Sequence, residues 1–146
     1  MPTDLKTVVT FKTSKFNTTE HKSYFINPTC FGDDTCNWLI AKLSADGITC
    51  AKEPGQEDFG WYFTFQVNGK EYCFVCGFRE GEDNNPGEWA GWIERSTGFF
   101  EALIGGRNKN IDPLAISAID QALRSELAIS DVKWYSKHDF DRGLES

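Results

Sequence analysis

Apolar and polar positions alternate most cleanly on either side of Asn68-Gly69, in "GWYFTFQV" (60–67) and "KEYCFVCGF" (70–78). A two-residue hairpin turn of type I′ needs positive φ at both central residues, and Asn-Gly is the pair best suited to it. Such a turn predicts the pairing of the two strands. Val67 lies opposite Lys70, Phe65 opposite Tyr72, Phe63 opposite Phe74, and Trp61 opposite Cys76. One face then carries Trp61, Phe63, Phe65, Val67, Tyr72, Phe74 and Cys76; the other carries Tyr62, Thr64, Gln66, Glu71, Cys73 and Val75. A slip by one residue would exchange the faces, so the pattern specifies the register, with the first face as the core.

The remaining pattern places elements before and after this hairpin. "TVVTFKTSKF" (7–16) reads as a strand with Val9 and Phe11 on one face, Val8 and Thr10 on the other. "NTTEHK" (17–22) reads as a polar turn, and "SYFIN" (23–27) as an extended piece ended by Pro28. In "DDTCNWLIAKLSADG" (33–47) the set Cys36, Leu39, Ile40 and Leu43 follows helical spacing. Asp33 or Asp34 is the expected cap at its start, and Gly47 the left-handed residue at its end. "ITCAK" (48–52) is a short strand candidate and "EPGQED" (53–58) a turn.

After the hairpin, "REGEDNNPGE" (79–88) reads as a polar loop and "WAGWIER" (89–95) as a strand. Trp89 and Ile93 share one of its faces, Ala90 and Trp92 the other, and Gly91 marks a bulge or a close contact. "GFFEALIGG" (98–106) suggests a short helical plug. A second helix starts at Asp112-Pro113, with Ala115, Ile119, Ala122 and Leu123 as its stripe and Ile116 and Leu127 flanking. "ISDVKWYS" (129–136) closes the series as a strand with Val132 and Trp134 on one face. Consecutive strands without intervening helices favour an antiparallel sheet. The expected fold class is therefore α+β: an antiparallel sheet with two main amphipathic helices on one face, a two-layer sandwich. A chain of 146 residues fits a single domain, residues 1–146, with a fraying tail after about residue 137.

Charge narrows the partners. The net charge of −7 opposes binding to a phosphate backbone, so no nucleic acid is expected. No apolar run reaches the ~18 residues of a membrane span. The N-terminal "MPTDLKTVVTFKTSKF" has no continuous apolar region of the secretory type. Together with five cysteines, an odd number, this points to reduced thiols and a cytoplasmic setting.

Candidate chemistry is sparse. Cys73 and Cys76 form a C-x-x-C, yet on a strand positions i and i+3 face opposite sides, roughly 10 Å apart at ~3.4 Å per residue. A disulfide needs Cα atoms within ~7 Å, and redox pairs of this spacing sit at a helix N-terminus instead. Cys76 therefore reads as a core residue and Cys73 as a half-buried one. Cys36 is in the first turn of a helix, where the dipole favours a thiolate and Asp33 and Asp34 oppose it; no histidine base is assigned to it. "DFG" at 58–60 lacks every other kinase motif. The acidic loop does not have EF-hand spacing. "GGRNKN" (105–110) lacks the ending of a P-loop, and Asp112 occupies the helix start that a phosphate would need. No catalytic residue, metal ligand or cofactor is implied.

"NPTCFGDDTCNWLIAKLSADG", "GQEDFGWYFTFQVNGKEYCFVCGF", "GEWAGWIE" and "ISDVKWY" together resemble a group of small uncharacterised bacterial α+β proteins. The resemblance spans most of residues 27 to 135, rests on fold-forming motifs and implies no activity. Two functional expectations remain. The first is an acidic interaction module, of inhibitor or immunity type by analogy, binding a basic protein through Glu57, Asp58, Glu80, Glu82, Asp83 and Glu88. The second is a small-molecule binder or enzyme with a cleft lined by Trp61, Trp89, Trp92 and Trp134.

Overall fold

The structure, a computed structural model, describes residues 6–16, 31–57, 60–79, 87–95 and 111–136. The elements run β1 (Val8–Lys12), α1 (Asp33–Ala45), β2 (Gly55–Glu57), β3 (Gly60–Val67), β4 (Lys70–Arg79), β5 (Glu88–Arg95), α2 (Pro113–Arg124) and β6 (Ser130–Tyr135). The six strands form one antiparallel sheet in the order β2-β3-β4-β5-β1-β6. The expected α+β class holds. Among the described residues no helix is long and apolar enough to cross a membrane.

The hairpin has the register that its turn dictates. Asn68 and Gly69 take φ of 53° and 76°, and pairing runs from Val67↔Lys70 to Trp61↔Cys76 without interruption. That register propagates through the sheet by cross-strand partners. Phe63, Phe74 and Ile93 stand side by side, as do Phe78, Trp89 and Phe11, and as do Trp61, Cys76, Gly91, Val9 and Trp134. These rows share the face covered by the helices. Phe65 lies tilted beside Tyr72, and Phe63 beside Phe74, with ring centroids 5.9 Å apart in each pair. Neighbouring aromatics on one sheet face add specific ring contacts to their burial.

Both helices meet this face with their apolar stripes. Cys36, Leu39 and Leu43 of α1 and Ala115, Ile119, Ala122 and Leu123 of α2 join the same core cluster. Ile40 is only half-buried. Leu127 departs from the expected stripe: it lies beyond the end of α2 and is 100% exposed. Trp89 and Ile93 are buried under the helices, which settles the facing of β5, and Trp92 points the other way. Gly91 marks a close contact and no bulge, for its pairings to both neighbours are in step. A Cβ there would stand 2.5 Å from Cζ of Phe74 and 2.8 Å from the Val75 carbonyl.

Two boundaries differ from the sequence pattern. The cap of α1 is Gly32, with Asp33 and Asp34 inside the first turn and no side-chain cap hydrogen bond. Their charges still complement the positive end of the helix dipole. "EPGQED" contains the edge strand β2, paired Gly55↔Tyr62 and Gln56↔Trp61, whereas "ITCAK" contributes only an isolated bridge, Cys50↔Phe65. Between them stands Pro54, which has no N–H to give to a ladder, and the pairing along β3 shifts across it. "NTTEHK", "SYFIN", the proposed plug at 98–106, "GGRNKN" and the tail after 137 lie outside the described residues.

Where the hairpin tip meets α2, three groups converge. The Asp112 carboxylate accepts from the Leu114 amide at 2.9 Å and from Asn68 Nδ2 at 2.9 Å, while the Asp112 amide donates to the Tyr72 hydroxyl at 3.2 Å. These bonds favour the charged form. The backbone bond from Leu114, then the Asn68 side chain, hold the Asp112 carboxyl below the usual aspartate range. A carboxyl lowered in the fold adds stability that is complete above about pH 4 and is lost as pH falls through the folded value. Asp112→Asn, which keeps a capping oxygen, should therefore lose less stability than the parent on acidification. Urea unfolding at a series of acidic pH values checks this; parallel losses would contradict it.

Candidate functional site

Among the described residues a concavity lies where the start of α1 meets the β2 edge of the sheet. The sequence "FGDDTCNW" turns into the helix at Gly32, whose φ of 153° suits glycine, and the Cys36 amide donates to the Gly32 carbonyl at 2.9 Å. A Cβ on Gly32 would meet the Cys76 carbonyl and Cδ1 of Trp61, both at 3.1 Å. The absence of a side chain lets the helix start close onto β3 and β4. The other end of α1 stops in a Schellman arrangement, with Gly47 N–H donating to the Ser44 carbonyl and Ile48 N–H to the Leu43 carbonyl, each at 3.0 Å.

The cleft so formed has a volume of about 510 Å³ and is lined by Asp33, Asn37, Glu53, Pro54, Gly55, Gln56 and Trp61. Asp33 and Asn37 are one helical turn apart, so both side chains stand over the same stretch of α1. Glu53 to Gln56 come from the edge strand and its approach, and Trp61, 4% exposed, closes the floor. Asp33 is 3% exposed and Glu53 is exposed, so one carboxylate is sunk in the wall and the other stands at the rim. Among the described residues that line it there is no lysine or arginine. The site offers acceptor oxygens and amides around an apolar floor, a surface suited to a cationic or multiply hydrogen-bonding group.

The expected acidic residues are placed only in part. Glu57 ends β2, next to Gln56 in the cleft wall. Glu88 pairs with Arg79 across β4 and β5 and is joined to it by an ion pair. Asp58, Glu80, Glu82 and Asp83 lie outside the described residues.

The four tryptophans are not brought to one surface. Trp61 is in the cleft, and Trp89 is wholly buried, stacked on Phe11 at 6.4 Å and edge-on to Phe16 at 5.8 Å. Trp134 donates to the Asp120 carboxylate at 2.9 Å, which also accepts from Arg124 at 2.7 Å, tying β6 to α2. Trp92 lies on the opposite face and donates to Glu94 at 2.9 Å. There it belongs to a row crossing five strands, Tyr62, Val75, Trp92, Val8 and Tyr135.

Cys73 and Cys76 do face opposite sides of β4, and none of the four described cysteines is in a disulfide. Cys36 is not a helix-start thiolate: burial above all, then its contact with Cys76, pushes its thiol well up. Among the described residues no three His, Cys, Asp or Glu side chains form a metal-binding group.

Of the residues lining the cleft, sequence reasoning named Trp61 for an aromatic cleft and placed an acidic loop around residues 53 to 58, but it missed Asn37 and took Asp33 or Asp34 for a cap. The available signal was the i, i+4 polar pair Asp33 and Asn37 beside the apolar stripe of the same helix. No protein-family model, curated protein or solved structure matches the chain.

The closeness of α1 to Trp61 depends on Gly32. Gly32→Ala should lower stability by about 1–3 kcal/mol, from overpacking and strain at positive φ. Urea unfolding measures it, and an unchanged midpoint would mean that α1 is not seated on β3 and β4 in this way.

Proposed function

We propose that this chain is a small acidic protein-interaction module that holds a basic partner protein, with a lysine or arginine of the partner entering the cleft beside α1. The observation that carries the reading is the lining: the carboxylates of Asp33 and Glu53 and the amides of Asn37 and Gln56 stand around an indole floor. A lysine or arginine suits such a site twice over. Its head makes charge-assisted hydrogen bonds to carboxylates, and its methylene stem covers apolar surface such as the Trp61 ring. The wider charge distribution supports it too. Residues 53 to 88 contain Glu53, Glu57, Asp58, Glu71, Glu80, Glu82, Asp83 and Glu88 against Lys70 and Arg79, which favours fast, salt-sensitive encounter with a basic surface. An inhibitor or immunity-type role in a cytoplasm fits this chemistry by analogy.

The volume of about 510 Å³ also favours a second reading, a site for a free amine- or guanidine-bearing small molecule.

Capture from native lysate at low salt, with identification of what is retained, tests the module. Retained proteins should be basic and should dissociate as salt shortens the range of their attraction. Glu53→Lys with Gln56→Lys should weaken binding of an identified partner by roughly tenfold or more, as expected when a complementary charge is reversed. Equal binding by the double variant, or a retained set of acidic proteins, would overturn the proposal. Stabilisation by low-mass cations with no retained protein would favour the second reading.

A further inference from the structure

Behind the inner wall of the cleft two thiols meet. Cys36 of α1 and Cys76 of β4 are both 0% exposed, and their sulfurs are 3.7 Å apart, in hydrogen-bond contact between residues 40 positions apart in the chain. The backbones are also drawn together here, for a Cβ on Gly32 would stand 3.1 Å from the Cys76 carbonyl. We propose that Cys36 and Cys76 are a dithiol site that closes to a disulfide under a peroxide oxidant, tying α1 covalently to β4. The pair was hidden by the more conspicuous C-x-x-C, whose members face opposite sides of the sheet.

The geometry favours this pairing over any other among the described cysteines. A disulfide bond is about 2.05 Å long, so the two sulfurs need to approach by somewhat less than a van der Waals radius. Side-chain rotation at Cys36 and a small settling of the first turn of α1 provide that movement. The step is balanced with hydrogen peroxide as the two-electron oxidant. The thiolate of one cysteine attacks a peroxide oxygen, the O–O bond breaks, and a sulfenic acid and water result. The sulfur of the second cysteine then attacks the sulfenic sulfur. The S–O bond breaks, the second thiol gives up its proton, and a second water leaves as the disulfide forms.

Burial shapes the rate. It pushes the Cys36 thiol well up, so little thiolate is present in the closed state. Oxidation therefore proceeds through brief lifting of the start of α1, and the resulting bond is a slow lock, unlike the fast response of an exposed sensor thiol. Once formed, the bond fixes the helix turn that bears Asp33 and Asn37, and with it one wall of the cleft. This inference does not depend on the identity of any partner.

The test uses the full chain, reduced, desalted and exposed to hydrogen peroxide in buffer without denaturant. Intact mass should fall by the mass of two hydrogens, and digestion under non-reducing conditions should yield one bridged species containing Cys36 and Cys76. The mass loss should persist in a variant carrying Cys30→Ser, Cys50→Ser and Cys73→Ser, and vanish in Cys36→Ser. Reduction should restore the original mass. No mass loss, a bridge through Cys30, Cys50 or Cys73, or a bridge that forms only after denaturation would each overturn the proposal.

Discussion

The two-residue turn at Asn68-Gly69 is the constraint on which the rest of the sheet depends. Its positive φ values allow one register for β3 and β4, and that register assigns every side chain of both strands to a face. β5 continues the same rows through Ile93 and Trp89, and β1 continues them through Phe11 and Val9. Only then is there a continuous aromatic surface for α1 and α2 to cover. The turn also takes part directly, since Asn68 bonds the carboxylate that caps α2. A local backbone preference and a long-range contact thus agree at one point, as expected of a sequence with few competing folds.

Much of this was legible beforehand because the signals are local. Asn-Gly between alternating strands, Asp112 before Pro113, and the stripe through Cys36, Leu39 and Leu43 each carry their own geometry. What escaped has a different origin. β2 is an edge strand of Gly55, Gln56 and Glu57, residues with little intrinsic β preference, and it exists because β3 offers a free edge beside it. The cap at Gly32 escaped because two aspartates follow it, and an aspartate is ordinarily the better cap. Leu127 fits the helical spacing, yet the chain has already left the helix there.

The candidate site was harder to read for the same reason. Its walls come from two segments, Asp33 and Asn37 on α1 and Glu53 to Gln56 beside the sheet edge, that meet only because glycine at position 32 lets the helix start approach Trp61. Tryptophan count alone misled: the sheet needs Trp89 inside it and Trp134 against α2, and neither was available for a cleft. The cysteines carry a similar lesson. Spacing along the chain drew attention to Cys73 and Cys76, while the contact that the fold creates is between Cys76 and Cys36. Period-two alternation excluded the first pair, but only the docking of α1 produces the second.

The hairpin register is most directly tested by nuclear Overhauser contacts between α-protons across β3 and β4. In antiparallel strands these protons come close at the pairs that exchange no backbone hydrogen bonds. Thr64 and Gln66 turn their backbone groups toward the segment around Cys50, so their partners across β4 are of that kind. The account predicts strong contacts between Thr64 and Cys73 and between Gln66 and Glu71. Contacts displaced by one residue, such as Thr64 with Tyr72 or Phe74, would contradict it, because the two faces of the sheet would then be exchanged.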